Sequence, residues 1–497
     1  MGRLMVLFVF FLPAVGNAEE APKPVWLVVA REAFTGAVEP LAAHRAGDGL
    51  ETVVSTEGVA EALAGLTRPP AYLLLVGDYE KGREAERWYL PTAQRPLYRW
   101  MLTQRMTFAS DSHFGDLDRD GVQDIPVGRI PARNADEVST VVQKIIAFEN
   151  RKATTADLRL NLWGGTPNYG PAFDAVQTSF LLNSLRRDAP PWLDLWIISS
   201  DRNHPLCGWP ADQPDLFSRR MAEGALINAL MGHANADFFL SINVDGKELG
   251  YTADSAREIL SQGAPSAPLL FFSCDSGNFA RETPCMAESF LFFHAGPVAT
   301  VAASTNSHPL TNYFTATSMA AELGGRTARY GDLWLDSQKK ARNREVNFFT
   351  VVANELKEIE GKLEEEIDVD KLKGDQLLMY AFLGDPATRI RLPETLRGSV
   401  EKRDDGWFWR VDKPMGATAL EVAFRLGKPP LLRQFGRSAN RDEAMSRFGD
   451  ANGQLGYSLL DPPANDAPWE GVVTKKGLLR LTATGPGVCA TVVFELH

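Results

Sequence analysis

Short apolar segments alternate with amphipathic ones along the first 320 residues, and this alternation constrains the fold more than any other feature. Residues 25–30, 71–76 and 269–273 are almost continuously apolar, as in strands that are covered on both faces. Between such segments, residues 136–151 place their apolar side chains at helical spacing. Strands that alternate with helices are typical of a parallel sheet flanked by helices. The sequence therefore predicts an α/β fold with a parallel or mixed sheet.

The alternation extends too far for one small sheet. Further strands are predicted at residues 193–199 and 297–303, and further helices at 173–187, 215–228 and 313–323. A charged segment at 343–373 has the pattern of a solvated helix. We therefore expect an α/β domain over residues 19–395, built from two halves (24–155 and 156–395) or from one large sheet with an extra lobe.

From residue 396 onward the pattern changes. The stretches GWFWRV, TALEVAFRL, LLRLTATG and VCATVVFEL are short, apolar-rich and separated by glycine, proline and aspartate. Many short strands with turn residues between them are typical of two packed sheets. The sequence predicts a β-sandwich domain over residues 396–497.

The first 18 residues have the pattern of a secretory signal peptide. Arg3 precedes a run of nine apolar residues at 4–12, and Gly16 and Ala18 are small residues two positions apart. This order favours cleavage after Ala18, and the run is too short to span a bilayer. We therefore expect export to the periplasm, the cell surface or the medium, without a long N-terminal prodomain; a short amphipathic helix is the alternative.

Charge and cysteine content exclude several classes of protein. The formal net charge of −11 argues against nonspecific binding to nucleic acid, which needs a positive surface. Four cysteines in 497 residues, without a CxxC pair, fit neither a disulfide framework nor a zinc or thioredoxin-type site. Cys285 is predicted to be structural, with a bridge to Cys207 or a free thiol as alternatives.

An acidic loop lies at residues 116–124. Its aspartates follow the order D-x-D-x-D-G, which matches the start of a calcium loop. Position twelve is Val127 rather than glutamate, and a strand pattern follows, so the loop is not an EF-hand. We expect structural Ca²⁺ here, with the ligands Asp116, Asp118, Asp120 and Asp124. The alternative is a surface turn that is neutralised by Arg119, Arg129 and Arg133.

His233 and Cys274 each follow an apolar segment. Gly232 permits a sharp turn before the histidine, and the carboxyl ends of parallel strands gather at the edge of a sheet where active sites form. A histidine beside a cysteine can take the thiol proton and create a nucleophile. Taken singly, each has a structural alternative, a hydrogen-bonded core histidine and a buried inert thiol.

Several stretches, in this order, resemble the gingipain family of cysteine peptidases, relatives of caspases with a caspase-like fold. They are LLLVGD (73–78), the acidic segment 110–133 with the helix after it, INALMGHA (227–234), PLLFFSCDSGNF (268–279), MAESFLFFHAGPVATVAASTNS (286–307) and FLGDPATRIRLP (382–393). Each stretch is weak alone, and together they are specific. The resemblance covers residues 25–393.

The resemblance implies a secreted cysteine endopeptidase that acts on proteins or peptides. His233 would be the general base and acid, and Cys274 the nucleophile that forms an acyl-enzyme. The N–H groups of Ala234 and Cys274 would form the oxyanion hole. The resemblance also supports Ca²⁺ at the acidic loop and an immunoglobulin-like sandwich.

Two alternatives keep the same fold. The family usually has glycine where this chain has Ala234, and alanine resists a positive φ, which favours a binding or scaffold protein without activity. A transpeptidase or sorting enzyme would use the same two residues, with an amine in place of water. Candidates for a third member that orients the histidine are Asp78, Asp111 and Glu288, each of which could equally serve as a turn or cap acid. The sequence fixes neither cleavage preference nor oligomeric state.

Overall fold

The computed structural model describes residues 22–98, 107–165, 184–244, 247–325, 327–345, 368–426, 436–460 and 468–497. The predicted signal peptide lies outside the described residues. So do most of the predicted helix at 173–187 and most of the charged segment at 343–373.

The strands of the α/β region, in chain order, are β1 (Val25–Ala30), β2 (Glu51–Ser55), β3 (Tyr72–Val76), β4 (Ala93–Pro96), β5 (Thr107–Ser110), β6 (Val127–Ile130), β7 (Arg159–Gly164), β8 (Asp194–Ser199), β9 (Ile227–Met231), β10 (Phe239–Val244), β11 (Lys247–Tyr251), β12 (Leu269–Phe272), β13 (Thr300–Ala303) and β14 (Tyr380–Leu383).

The α-helices of the described residues are α1 (Thr35–Gly47), α2 (Val59–Ala64), α3 (Ala135–Asn150), α4 (Gln213–Ala222), α5 (Ala253–Leu260), α6 (Met286–Leu291), α7 (Pro309–Glu322), α8 (Tyr330–Arg342), α9 (Val369–Met379) and α10 (Arg441–Leu455). Within the ranges that the structure describes, no helix has the length and apolar character needed to cross a bilayer.

Ten strands form one sheet in the described part of the chain, in the order β2-β1-β3-β6-β14-β13-β12-β9-β7-β8. β1 is parallel to β2 and β3, and β12 is parallel to β9 and β13, whereas β14 is antiparallel to β13. Along β1, Trp26 and Val28 belong to one apolar core and Leu27 and Val29 to another, so the sheet is covered on both faces. The predicted α/β fold with a mostly parallel sheet is confirmed.

The helix predicted at residues 215–228 is shorter than expected. It ends at Ala222 as α4, and residues 227–231 form strand β9 instead. Gly224 has a φ of +100°, a conformation that ends helices and favours glycine. The apolar residues after it lie between β12 and β7 in the sheet. A strand, rather than a helix, therefore delivers residue 233 to the sheet edge.

A buried arginine joins α1, α3 and the turn after β14. The Nε atom of Arg45 donates to Asp385 at 2.7 Å, and its Nη1 atom donates to Glu149 at 2.8 Å. Trp26 of β1 donates to the other oxygen of Asp385 at 3.0 Å. The Arg45 side chain is fully buried, and a buried charge is tolerated only when it is paired and hydrogen-bonded. These contacts fix the turn at residues 384–386, which follows β14, against the two helices.

The C-terminal region contains two sheets. Its strands are β15 (Glu394–Thr395), β16 (Gly398–Arg403), β17 (Gly406–Val411), β18 (Ala419–Arg425), β19 (Ser458–Leu460), β20 (Glu470–Val473), β21 (Gly477–Gly485) and β22 (Val488–Leu496). The sheet orders are β15-β22-β21-β18-β19 and β16-β17-β20. Trp409 of the smaller sheet and Leu420 and Leu481 of the larger one share a core. The region is a β-sandwich, as predicted.

Helix α10 joins the sandwich to the edge of the large sheet. The amide of Asn452 accepts from the Ile197 N–H at 2.8 Å and donates to the Ile197 carbonyl at 3.1 Å. Ile197 lies in β8, the last strand of the sheet. An edge strand carries unpaired N–H and C=O groups that favour aggregation. Asn452 therefore covers part of this edge, because its side chain makes two hydrogen bonds to Ile197 as a neighbouring strand would.

Arg133 joins three segments at the carboxyl edge of the sheet. It follows β6, and its Nε atom donates to Asp78, just after β3, at 2.6 Å. Its terminal nitrogens donate to the carbonyls of Arg281 and Glu282, after β12, at 2.8 and 2.9 Å. The carboxyl ends of β3, β6 and β12 therefore meet at one edge, with an arginine holding them together.

Glu288 lies near this cluster at the start of α6. Its Oε2 atom accepts the N–H of Cys285 at 2.7 Å. Burial, and then the negative charge of Asp78, raise the pKa of Glu288 above its usual range. Folding therefore favours the protonated form of this carboxyl.

Glu288→Gln should remove a pH-dependent loss of stability. An ordinary glutamate has a pKa of about 4.3, so at higher pH the unfolded chain releases a proton that folded Glu288 retains. Stability then falls as pH rises toward the raised pKa. We expect the free energy of unfolding of the variant to gain about 1–2 kcal/mol on the wild type between about pH 5 and pH 8. Urea denaturation at several pH values measures the gain.

The exposed Glu282→Gln serves as the control and should follow the wild type at each pH. A difference between Glu288→Gln and the wild type that stays constant with pH would contradict the assignment.

Candidate active site

His233 and Cys274 lie at the same level beyond two neighbouring parallel strands. Met231 and Phe272 form the last residue pair of β9 and β12, and the Gly232 N–H donates to the Phe272 carbonyl at 3.2 Å. Each candidate follows that pair by two positions. Neighbouring strands are about 4.8 Å apart. His233 and Cys274 therefore both follow neighbouring strand ends at the carboxyl edge.

A glycine makes the turn before the histidine possible. Gly232 has a φ of +155°, and a Cβ atom there would lie 3.2 Å from the Cα of Gly165. Beyond it, the Leu240 N–H donates to the His233 carbonyl at 2.9 Å, and the Asn235 N–H donates to the Phe238 carbonyl at 3.1 Å. These bonds hold the loop as a short antiparallel bridge, and the histidine is partly exposed.

Ala234 adopts a conformation that alanine accepts readily. In the described ranges, the non-glycine residues with a positive φ are Arg119 and Asp275, so Ala234 lies outside that region. The methyl group imposes no backbone strain of the kind that a glycine would be needed to relieve. Across the same ranges, the N–H groups of Ala234 and Cys274 donate to no protein acceptor, which leaves both as donors for a ligand.

Cys274 stands where β12 breaks. Its Sγ atom donates to the Ser307 carbonyl at 3.5 Å, and the residue is partly exposed. Burial of the thiol group raises its pKa, while its interaction with Ser307 opposes that rise. Asp275 follows with a φ of +58°, which aspartate tolerates better than most residues. Its N–H donates to the Thr305 carbonyl at 2.8 Å, so the chain turns sharply just after the thiol.

The candidates for a third member all have structural partners. Asp111 accepts two hydrogen bonds from Arg129, at 2.6 and 2.8 Å. Asp78 is paired with Arg133, and Glu288 caps α6. Each carboxyl thus holds the loops of the site in place. A role for any of them in orienting His233 stays a prediction.

The acidic loop brings three of its four aspartates together. One carboxylate oxygen from each of Asp116, Asp118 and Asp120 lies within 4.8 Å of the others. Asp124 accepts instead from the Leu117 N–H at 2.7 Å and closes the base of the loop.

Two of the three arginines in the alternative of a neutralised surface turn have other partners. Arg129 is engaged with Asp111, and Arg133 with Asp78. A cluster of carboxylates on a tight turn suits a hard cation such as Ca²⁺. Asp116, Asp118 and Asp120 therefore fit the predicted ion, and Asp124 fits a supporting role.

All four cysteines are free thiols. The alternative of a Cys207–Cys285 disulfide is therefore wrong, and both residues are buried. Burial raises the pKa of Cys207 to about 12 and that of Cys285 well above its usual range. Cys489 is partly exposed in β22 of the sandwich. Of these thiols, Cys274 is the one that lies at the edge shared with His233.

Sequence reasoning missed the residues behind the cysteine. Ser307 follows β13, Asn312 lies in α7 and Tyr380 begins β14, and all three are buried in contact with one another. The polar run directly after the β13 segment was a usable signal for Ser307, because β13 neighbours β12. Tyr380 belongs to an antiparallel strand about 100 residues later, and no sequence pattern places it there.

The chain matches the model of peptidase family C25 over residues 19–391. No curated protein matches it. A crystal structure of the Arg-specific cysteine proteinase gingipain R is 14% identical over 96% of this chain and 98% of that one, with a TM-score of 0.51. A complex of the pro- and mature domains of RgpB from Porphyromonas gingivalis is 14% identical over 95% and 99%, with a TM-score of 0.50.

A third structure, described as a protease, is 13% identical over 96% of this chain and 98% of that one, with a TM-score of 0.53. At sequence identities this low, the likeness shows a shared fold but not a shared activity. The family model, in contrast, spans most of the chain. The chain therefore belongs to peptidase family C25, the gingipain family of cysteine peptidases with a caspase-like fold.

Proposed function

We propose that the protein is an exported cysteine endopeptidase that hydrolyses peptide bonds through Cys274 and His233. The observation that carries the proposal is the pairing of Met231 with Phe272. His233 and Cys274 each follow this pair by two positions, which supports their meeting at one level of the sheet edge. Family membership supplies the reaction class, and proteins or peptides are the substrates.

The chemistry follows from these two side chains. The imidazole of His233 accepts the proton of the Cys274 thiol, and the sulfur attacks the carbonyl carbon of the peptide bond. The N–H groups of Ala234 and Cys274 donate to the oxygen that gains negative charge. The imidazolium then protonates the leaving amine, and an acyl-enzyme forms. Water, deprotonated by the same imidazole, releases the acid and restores the thiol.

The environment of the thiol assigns a definite task to the histidine. Burial raises the pKa of Cys274, so at neutral pH the free thiol carries its proton for most of the time. A base must therefore accept that proton as the sulfur attacks. An imidazole is the group that most often serves as such a base, and His233 follows the neighbouring strand end.

The two alternatives gain no support from these observations. The scaffold alternative depends on Ala234, whose φ is not positive. Transpeptidation would use the same cysteine and histidine, and no feature of the described residues favours an amine over water as the acceptor. Hydrolysis is the simpler outcome because water needs no binding site of its own.

Cys274→Ala should abolish cleavage, and His233→Ala should lower kcat/KM at least about 10³-fold, since either change removes the attacking thiolate. The measurement is hydrolysis of a peptide library by the purified mature protein with calcium. Labelling by a thiol-reactive peptidyl probe should disappear in Cys274→Ala. Cys489→Ala, which removes the partly exposed thiol of the sandwich, should retain both peptide cleavage and labelling by the probe.

Absence of cleavage by the wild type, together with no probe on Cys274, would exclude the peptidase. Equal labelling of wild type and Cys274→Ala would place the reactive thiol elsewhere.

Export is proposed from the signal-peptide pattern of residues 1–18. The exported protein should begin at Glu19, which N-terminal sequencing of the protein outside the cytoplasm determines. An exported chain that still begins at Met1 would contradict cleavage after Ala18.

Ca²⁺ is proposed as a structural ion of the acidic loop. Asp116, Asp118 and Asp120 would hold it, and three carboxylates would repel one another less with the ion bound.

A chelator should therefore lower the melting temperature by a few degrees, and added Ca²⁺ should restore it. Asp118→Asn should remove most of this response, whereas the exposed Asp254→Asn, on α5, should not. A melting temperature that chelator leaves unchanged in the wild type would count against the site.

A further inference from the structure

A buried polar network lies directly behind Cys274. Its members are Ser307, Asn312, Gln376 and Tyr380, which are between 2% and 6% exposed. They come from the segment after β13, from α7, from α9 and from β14. Buried polar groups are costly unless each donor meets an acceptor, so the direction of every hydrogen bond here can be derived.

The direction is set at a backbone carbonyl, which can only accept. The hydroxyl of Thr315 donates to the Thr311 carbonyl at 3.0 Å, so its proton is used and its oxygen accepts from the next group. That group is the Nε2 atom of Gln376 at 3.3 Å. The Gln376 amide therefore presents its NH₂ group toward α7. The same Nε2 atom donates to Oδ1 of Asn312 at 3.2 Å.

Asn312 passes this direction on to Ser307. Its Oδ1 atom also accepts from the Tyr380 hydroxyl at 2.7 Å. With Oδ1 occupied by two donors, Nδ2 faces the Ser307 hydroxyl oxygen, at 2.8 Å. The Ser307 oxygen thus accepts a hydrogen bond, and its own proton is available to a different acceptor.

Two acceptors compete for that proton. One is the Tyr380 oxygen, which binds the same Asn312 amide as Ser307, and the other is the Cys274 sulfur, which lies 3.5 Å from the Ser307 carbonyl oxygen. The neutral thiol donates to the Ser307 carbonyl at 3.5 Å. A thiolate has no proton to donate and needs a donor instead. Because a charged acceptor binds a proton more strongly than a neutral one, the thiolate draws the Ser307 hydroxyl away from Tyr380.

We propose that Ser307 is a positioning residue of the active site. Its hydroxyl donates to the Cys274 thiolate, in an orientation imposed by Asn312, Gln376 and Tyr380. The carbonyl of Ser307 accepts from the thiol before proton transfer, and its hydroxyl stabilises the sulfur afterwards. This inference rests on the proposed role of Cys274 as the nucleophile.

The other titratable groups around the thiol do not change in the test. Asp275 is adjacent in sequence and raises the pKa of Cys274, and His233 lies at the same level beyond β9. Burial raises the pKa of Tyr380 and lowers that of His308 to about 3, so both are neutral. Ser307→Ala therefore removes one hydroxyl, including the acceptor of the Asn312 amide, and changes no charge.

The test is the rate of alkylation of Cys274 by iodoacetamide as a function of pH, followed by mass spectrometry of the full-length mature protein. Only the thiolate reacts, so the midpoint of the profile reports the thiol pKa. Ser307→Ala should raise the midpoint by about one pH unit and slow alkylation about ten-fold below it. Above the midpoint the rates should be equal. Ser307→Thr, which keeps the hydroxyl, should restore the wild-type profile.

Ser276→Ala is the matched control. Its hydroxyl is also buried in the Cys274 loop but contacts Ser273, at 3.2 Å, so the midpoint should not move. Asn312→Leu keeps the volume and removes the donor that orients Ser307, and it should raise the midpoint by less than Ser307→Ala. An unchanged midpoint in either folded Ser307→Ala or Asn312→Leu overturns the proposal. An equal shift in Ser276→Ala overturns it as well.

The alkylation profile needs no substrate. Failure of the peptidase proposal appears as absent cleavage by a protein whose Cys274 midpoint still responds to Ser307→Ala. Failure of the Ser307 proposal appears as normal cleavage with a midpoint that does not respond.

Discussion

The parallel pairing of β9 with β12 is the constraint on which the rest of the site depends. Met231 and Phe272 close the ladder together, so both strands end at one level. A slip of one residue would move every side chain of a strand to the opposite face and would separate the histidine from the cysteine. Gly232 and Asp275 then turn the chain within one or two residues of the last pair, and the reactive groups stay at the edge.

Around this edge, hydrogen bonds between polar groups position the loops, whereas apolar packing positions the strands and helices elsewhere. Arg133 holds the carboxylate of Asp78 and two carbonyls of the segment after Cys274. On the other side, Asn312 and its partners occupy the space behind the thiol. Loops at a sheet edge have few apolar contacts, and their position must come from directional bonds. The same bonds set the electrostatics that the sulfur and the carboxyls experience.

Much of this arrangement could be predicted because apolar strands mark their own ends. The strand predicted at residues 25–30 has those bounds, and His233 and Cys274 stand out in the sequence because each follows an apolar segment. The sequence assigns the start of β9 to a helix because a five-residue, mostly apolar segment does not distinguish a strand from a buried helix. The φ of Ala234, the partners of Arg133 and the approach of Tyr380 all depend on tertiary contacts that no local pattern encodes.

The contact between Asn452 and Ile197 can form only late in synthesis, because the two residues are far apart in the sequence. The residue that covers the β8 edge is made 255 positions after the strand it protects. During synthesis, the large sheet is therefore complete in sequence while one border is still bare, and a bare border can pair with another chain. In a fragment that stops at the end of the α/β region, the edge of β8 stays uncovered. The C-terminal region therefore protects part of this edge, and the isolated α/β region should aggregate even with every residue of its active site present.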